Sequence, residues 1–309
     1  LIAFDVAGLQ ALNMPNGRIF ALRARYNPEV APPAPQPPVS GQPEALFNEA
    51  DTSYSGDGSH VGDNPFAVGY STGTGKNTAD GETDPWAAMG VSIEAVDVSV
   101  KTRQLRADYS LELAQDMRNI HGLDADSELV NILSTEIIAE LNRELVRTLY
   151  GVARQGAQFA STPGTFSLQD DADGRWAAER YKGLLFAIER DANAVAWETR
   201  RGKANILITS ADVASALAMA GILDYAPAVQ AQTGNLQVDV TGTSYAGQAG
   251  RFKVFVDPYA SGNGYMVGYK GVNQYDAGVF YCPYVPLQLV RATNPENFHP
   301  ALGFCQKRD

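Results

Sequence analysis

Leu129, Leu133, Ile137, Leu141, Leu145 and Leu149 recur every fourth residue through a stretch whose charged members, Glu136, Glu140, Arg143, Glu144 and Arg147, fall mostly on other faces. That spacing is the signature of a helix with one buried stripe, and no strand repeats this way. Asp124 or Asp126 is placed to cap its start, Glu128 sits in the first turn, and Arg147 lies near its end. Gly151 suits the left-handed position that stops a helix. About 27 residues at roughly 1.5 Å rise make a rod near 40 Å long, more than an ordinary globular helix requires. Such a rod can act as a spine. Upstream, Leu113, Met117 and Ile120 form a smaller stripe that ends at His121-Gly122, so two helices are expected to meet at a corner.

The rest of the chain changes period repeatedly. Asn16-Gly17 offers a turn before a strand at 19–26, and Val91, Ile93, Val96, Val98 and Val100 alternate as a second strand. Between them, 31–43 is too rich in proline for a helix or central strand, and 56–85 is mostly Gly, Ser, Thr, Asp and Asn. This is an excursion from the core. After the spine, 173–193 reads as a helix with Ala177, Tyr181, Leu184, Leu185 and Ile188 on one face. Residues 205–209 then form a buried strand, and Ser210 caps a helix with Val213, Leu217 and Ala220 inward. Phe252, Val254 and Val256, then 265–269, 279–284 and 287–290, make the end β-rich. The fold class is α+β.

Composition narrows the function. The 309 residues can bury a sizeable core, and no apolar run approaches the roughly 20 residues needed to cross a bilayer. A net charge of -11 argues against affinity for nucleic acid by phosphate neutralisation, which needs clustered Lys and Arg. Cys282 and Cys305 make no disulfide framework and read as reduced structural thiols. The chain starts at Leu1 without an initiator Met or a signal segment, so an upstream arm is expected to precede it.

Motifs for chemistry fail in turn. Gly73-Thr74-Gly75-Lys76 invites a phosphate loop, but Tyr70 stands where the first Gly belongs, Asn77 follows Lys76, and no apolar helix comes next. Gly262-Asn263-Gly264 with Gly268 enters a strand, whereas a dinucleotide fingerprint opens a helix. His60, His121 and His299 lie far apart, without a second ligand at zinc spacing. Asp170, Asp171 and Asp173 lack the remainder of a calcium loop and read as a solvated helix entry. No catalytic, cofactor-binding or metal residue is assigned, and the chain is not expected to be an enzyme.

Against that background, LELAQDMRNIHGLDADSELVNILSTEIIAELNRE, at 111–144, resembles the central segment of the major capsid protein of T-even-type tailed bacteriophages. The passage Pro-x-Gly-x-Ile-Phe-Ala-x-Arg-Ala-Arg-Tyr ending at Tyr26, EALFNEADTSYSG at 44–56, RFKVFVDPYASGNGYMVGYKG from Arg251, and YDAGVFYCPYVPLQLVRATNPENFHPALGF up to Phe304 resemble the same family in matching order. The resemblance implies a Hong Kong 97-like capsid fold with a peripheral domain beginning at 1–26, an extended loop at 27–90, and more peripheral domain at 91–194 holding the spine helix 124–150. An axial domain at 195–284 and peripheral C-terminal strands at 285–309 complete it. It also implies a subunit of hexameric capsomers in an icosahedral or prolate head, assembled in a bacterial cytoplasm, with vertex, portal and decoration proteins as partners. Such a shell encloses double-stranded DNA without reading its sequence, and involves no membrane. The excursion is too short for the additional inserted domain of that family, and the proline run at 32–38 departs from its pattern. A pentameric vertex protein or cellular shell of the same fold is one alternative. A hydrolytic or carbohydrate-binding module lined by some of the 14 tyrosines is another, of a different class.

Overall fold

The computed structural model describes all residues except 28–39, 48, 63–65, 67, 159, 173, 175, 226–243, 274–275, 297 and 309. The proline run and the helix entry expected at Asp173 lie outside the described residues. Two compact units emerge, Leu1–Pro15 with Ser99–Asp309, and Asn16–Val98. In chain order the elements are α1 (Ala3–Val6), β1 (Gly8–Leu9), β2 (Asn16–Asn27), α2 (Thr78–Thr83), β3 (Ala88–Ser99), β4 (Lys101–Asp108) and α3 (Leu111–Asp116). There follow α4 (Ala125–Val152), α5 (Ala177–Thr199), β5 (Ile206–Ser210), α6 (Ala211–Met219), β6 (Leu223–Tyr225), β7 (Ser244–Ala249), β8 (Phe252–Asp257), β9 (Tyr265–Gly268), β10 (Phe280–Tyr281), β11 (Pro283–Thr293) and β12 (Pro300–Arg308). The class is α+β, as the changing periods require.

The spine is α4, 28 residues long. Its first half lies on a three-stranded antiparallel sheet of order β11-β12-β4, where Leu133 and Ile137 pack with Leu302 and Phe304. Its second half lies on a five-stranded sheet of order β6-β7-β8-β5-β9, where Val146 meets Ile206, Ile208 and Phe255. Leu145 and Leu149 are only partly buried there, while Val146 is fully buried. A four-residue repeat drifts by about 40° per step against a 3.6-residue turn, so the buried line passes from Leu141 to Val146. Gly151 does not stop the helix as expected. It lies inside the last turn, and the chain leaves at Ala153 in an extended conformation. Asp124 occupies the N-cap position without a side-chain cap bond; Ser127 donates its hydroxyl to the Asp124 carbonyl instead.

The corner before α4 is present but built differently. Ser110 Oγ caps α3 by accepting from the Leu113 amide at 3.2 Å, a π-helical turn spans Met117–His121, and Gly122 takes the left-handed φ of 67°. Leu113 and Ile120 are exposed, so the smaller stripe expected there is not buried within the described chain.

On the five-stranded sheet, β5 and β8 run parallel while β9 and β7 flank them antiparallel. Opposite α4, that sheet is covered by α5 and α6, whose Leu184, Ile188, Ala192, Val213 and Leu217 close on Leu207, Phe252, Val254 and Val256. Covered on both faces, β5 is buried at every position, which explains its unbroken apolar run. Ser210 precedes α6 without a side-chain cap; its hydroxyl accepts from the Gly264 amide at 3.4 Å. The ranges 279–284 and 287–290 are joined across Pro283 and Pro286, because β11 is an edge strand whose register shifts at 283–288 absorb the prolines.

The other unit begins at Asn16 and ends at Val98, wider than the expected 27–90 excursion. The strands expected at 19–26 and from Val91 to Val100 do not join β4, β11 and β12. They are β2 and β3, and they pair with each other in a sheet of their own.

Candidate functional site

The β2–β3 sheet reverses the usual burial of a small domain. Along β2, Arg23 and Arg25 share a face; along β3, Ser92 and Glu94 share the matching one. Arg25 is buried there, donating to Ser92 Oγ at 2.8 Å, to the Gln42 carbonyl at 2.5 Å and to Glu94. Arg23 bridges Glu44 and Glu94, each at 3.3 Å. Gln42 and Glu44 lie over this polar face, Ala45 donates to the Ala24 carbonyl at 2.8 Å, and the Tyr26 and Tyr54 rings meet at a tilt of 55° with their centres 4.5 Å apart. The opposite face carries Phe20 and Leu22 from β2 with Met89, Val91 and Ile93 from β3. All five are exposed, Leu22 and Ile93 at 73% and 69%. A folded unit that spends its buried volume on arginine and leaves its apolar face in water presents an interaction surface.

The sequence motifs acquire ordinary structural roles. Thr74 exchanges backbone hydrogen bonds with Asp57, and Lys76 pairs with Asp84 at 3.2 Å. Gly73 sits where a Cβ would come within 2.5 Å of the Ser53 backbone, so this glycine serves close chain approach. Gly262 has φ of 107° in the turn that enters β9, as expected. His60 Nδ1 shares a 2.9 Å hydrogen bond with Thr52 Oγ1, His121 closes the π-helical turn, and His299 precedes β12; the structure does not bring them together. Asp171 accepts from the Ser161 amide and hydroxyl and the Ser167 amide at 2.7–2.8 Å. The Ser167 and Ser161 donors hold its carboxyl below the usual range. Among the described residues, no three His, Cys, Asp or Glu side chains gather as cation ligands.

One charged site escaped the sequence reading. Arg143, on the spine, directs Nη1 at both oxygens of Asp257, 2.9 and 2.8 Å away. Asp257 also accepts from the Tyr150 hydroxyl at 3.3 Å and the Tyr259 amide at 3.0 Å, and the Arg143 guanidinium lies 5.3 Å from the Tyr259 ring centre. Burial, then the Asp257 charge, pushes the Tyr150 hydroxyl up to about 12. The arrangement fastens α4 to the end of β8.

The model of the family described as Major capsid protein Gp23 matches residues 1–308. The major capsid protein of Salmonella phage ViI is 42% identical over 320 aligned positions, covering 98% of this chain and 71% of the relative. That of Enterobacteria phage T4 is 36% identical with the same two coverages. The chain belongs to the major capsid protein Gp23 family.

The Gp23 alignment with the T4 relative runs over 377 positions, more than the 309 residues here, so that relative carries residues this chain lacks. With the ViI relative the alignment is 320 positions long, close to this chain's own length. Among solved structures, the capsid of Myoviridae phage XM1 matches with a TM-score of 0.47 and 13% identity, over 99% of this chain and 86% of that one. As a Gp23 major capsid protein, the chain is a structural component of a virion shell.

Proposed function

We propose that the chain builds hexameric capsomers of a tailed-phage head of Hong Kong 97 type, and that its work is geometric, without catalysis. The unit at 16–98 is then the extended loop, laid across a neighbouring subunit. The sheet of β4, β11 and β12 with the first half of α4 is the peripheral domain, and the five-stranded sheet with α5 and α6 is the axial domain. Vertex, portal and decoration proteins complete the head, and double-stranded DNA is enclosed without sequence-specific contact. The carrying observation is the bare apolar face of Phe20, Leu22, Met89, Val91 and Ile93 on a folded sheet, because burial between copies supplies what that unit lacks alone.

The test pairs electron microscopy with melting. Wild-type protein under assembly conditions is expected to form rings or closed shells, with six-fold capsomers. Leu22→Asp with Ile93→Asp should leave the subunit's melting within about 0.5 kcal/mol of wild type, since both positions are exposed, while shells are lost. A wild-type chain that stays monomeric throughout overturns the function. A variant that assembles normally removes the apolar face from it.

A further inference from the structure

We propose that a basic aromatic stripe on α5 seats the acidic stripe on the first half of α4 of a second copy of this chain, an interaction that rests on the shell-subunit function above. Lys182, Phe186, Arg190, Asn193 and Trp197 recur at helical spacing and fall within about 80° of arc, with Arg200 just past the helix end, so they form one continuous strip. Phe186 and Trp197 are 67% and 68% exposed. The Arg190 guanidinium lies 5.8 Å from the Phe186 ring centre and that of Arg200 lies 6.0 Å from Trp197. Arginine held over an exposed aromatic ring is the composition that anchors interfaces. Glu189, which borders the strip, is engaged by Lys203 and Arg251 at 2.5 and 3.2 Å, and Glu179, in the same arc at the N-terminal end, accepts from the Trp176 amide at 3.3 Å, so the strip keeps a cationic excess in a chain of net charge -11.

The complement is on the same chain. Along α4, Glu128, Ile132 and Glu136 line the side away from the buried stripe, with Ile132 60% exposed. Among the described residues, neither carboxylate forms an ion pair. Lys182, Phe186 and Arg190 repeat the same spacing with opposite sign: charge, apolar residue, charge, across eight positions, or about 12 Å of helix. Helix laid on helix therefore sets two cations against two anions and Phe186 against Ile132. The two patches differ, so the contact is heterologous, and repeated around an axis it closes a ring.

Three variants test the pairing by sedimentation and electron microscopy: Lys182→Glu with Arg190→Glu, Glu128→Lys with Glu136→Lys, and all four together. Lys182 and Glu136 are exposed, Arg190 and Glu128 are partly exposed, and none of the four is buried, so melting of the subunit is expected to hold. Each double variant should lower the assembled fraction about tenfold or more through like-charge contact, and the fourfold variant should restore most of it. Loss in both double variants without recovery in the fourfold one overturns the pairing, as does normal assembly of either. Should the fourfold variant fail to fold, Phe186→Cys with Ile132→Cys decides: a disulfide between copies on oxidation supports the contact, and its absence in assembled rings rejects it. A labelled DNA duplex that binds wild type and is lost with Lys182→Glu and Arg190→Glu, while rings persist, would assign the strip to DNA and overturn the proposal. If wild type forms no ring, the shell-subunit function fails first, and this contact with it.

Discussion

Arg143 in the spine and Asp257 at the end of β8 are 114 positions apart and meet as a two-pronged ion pair whose carboxylate is wholly buried. Removing the cation strands a desolvated charge, whereas neutralising both ends does not. Arg143→Leu should therefore cost about 3 kcal/mol, at the low end for buried pairs because the arginine is itself partly exposed. Arg143→Leu with Asp257→Asn should recover part of that loss. Equal melting of wild type and Arg143→Leu would show that the pair carries no stability.

Ile137 packs with Leu133, Leu302 and Phe304 under the first half of the spine. Ile137→Asp places an unpaired carboxylate in that layer, at a cost of several kcal/mol, and folded subunit should not accumulate. Glu140, on the exposed side, accepts from Arg103, and Glu140→Gln should change stability by about 0.5 kcal/mol or less. Soluble yield and thermal melting compare the two.

Tyr150 carries a pH dependence of definite sign. Its hydroxyl is raised from 10.0 to about 12 by burial and by Asp257, so the folded chain favours the protonated form. The stability this confers is fully present below pH 10 and is lost as pH rises toward 12. The phenolate absorbance of wild type should show a late-titrating tyrosine that Tyr150→Phe removes, and the alkaline fall in melting temperature should be shallower in that variant. An unchanged late titration would place the delay elsewhere, for instance at Tyr265, which burial and Asp191 also raise.

Gly73 tests whether the loop is held as described. A methyl group there would lie 2.5 Å from the Ser53 backbone, closer than any relaxed contact. Gly73→Ala should open the 53–74 region to protease while the melting of the spine and five-stranded sheet stays near wild type. Unchanged proteolysis would mean that the approach of these two segments is looser than described.

Much of this architecture was legible along the chain, and the reason is local. A helix declares itself through neighbours three and four positions apart, so the stripe from Leu129 to Leu149 located the spine. β5 declared itself by an apolar run, and β8 by the alternation of Phe252, Val254 and Val256. Pairing between distant segments has no such signal: nothing near Val91 says that its strand lies beside β2 and not beside β4. Alternation showed that one face of the strand from Val91 was apolar. Only the packing of Arg23 and Arg25 under Gln42 and Glu44 decided that the apolar face would be the bare one. Gly151 fits a helix stop by residue type alone, yet the helix runs one residue past it before the chain turns extended. The sequence by itself determined the spine and the longer helices after it, the buried strands and, through its likeness to relatives, the family. Tertiary structure alone decided which strands pair, which apolar face is left for a neighbour, and where Asp257 finds its cation, because each depends on contacts between residues tens to hundreds of positions apart.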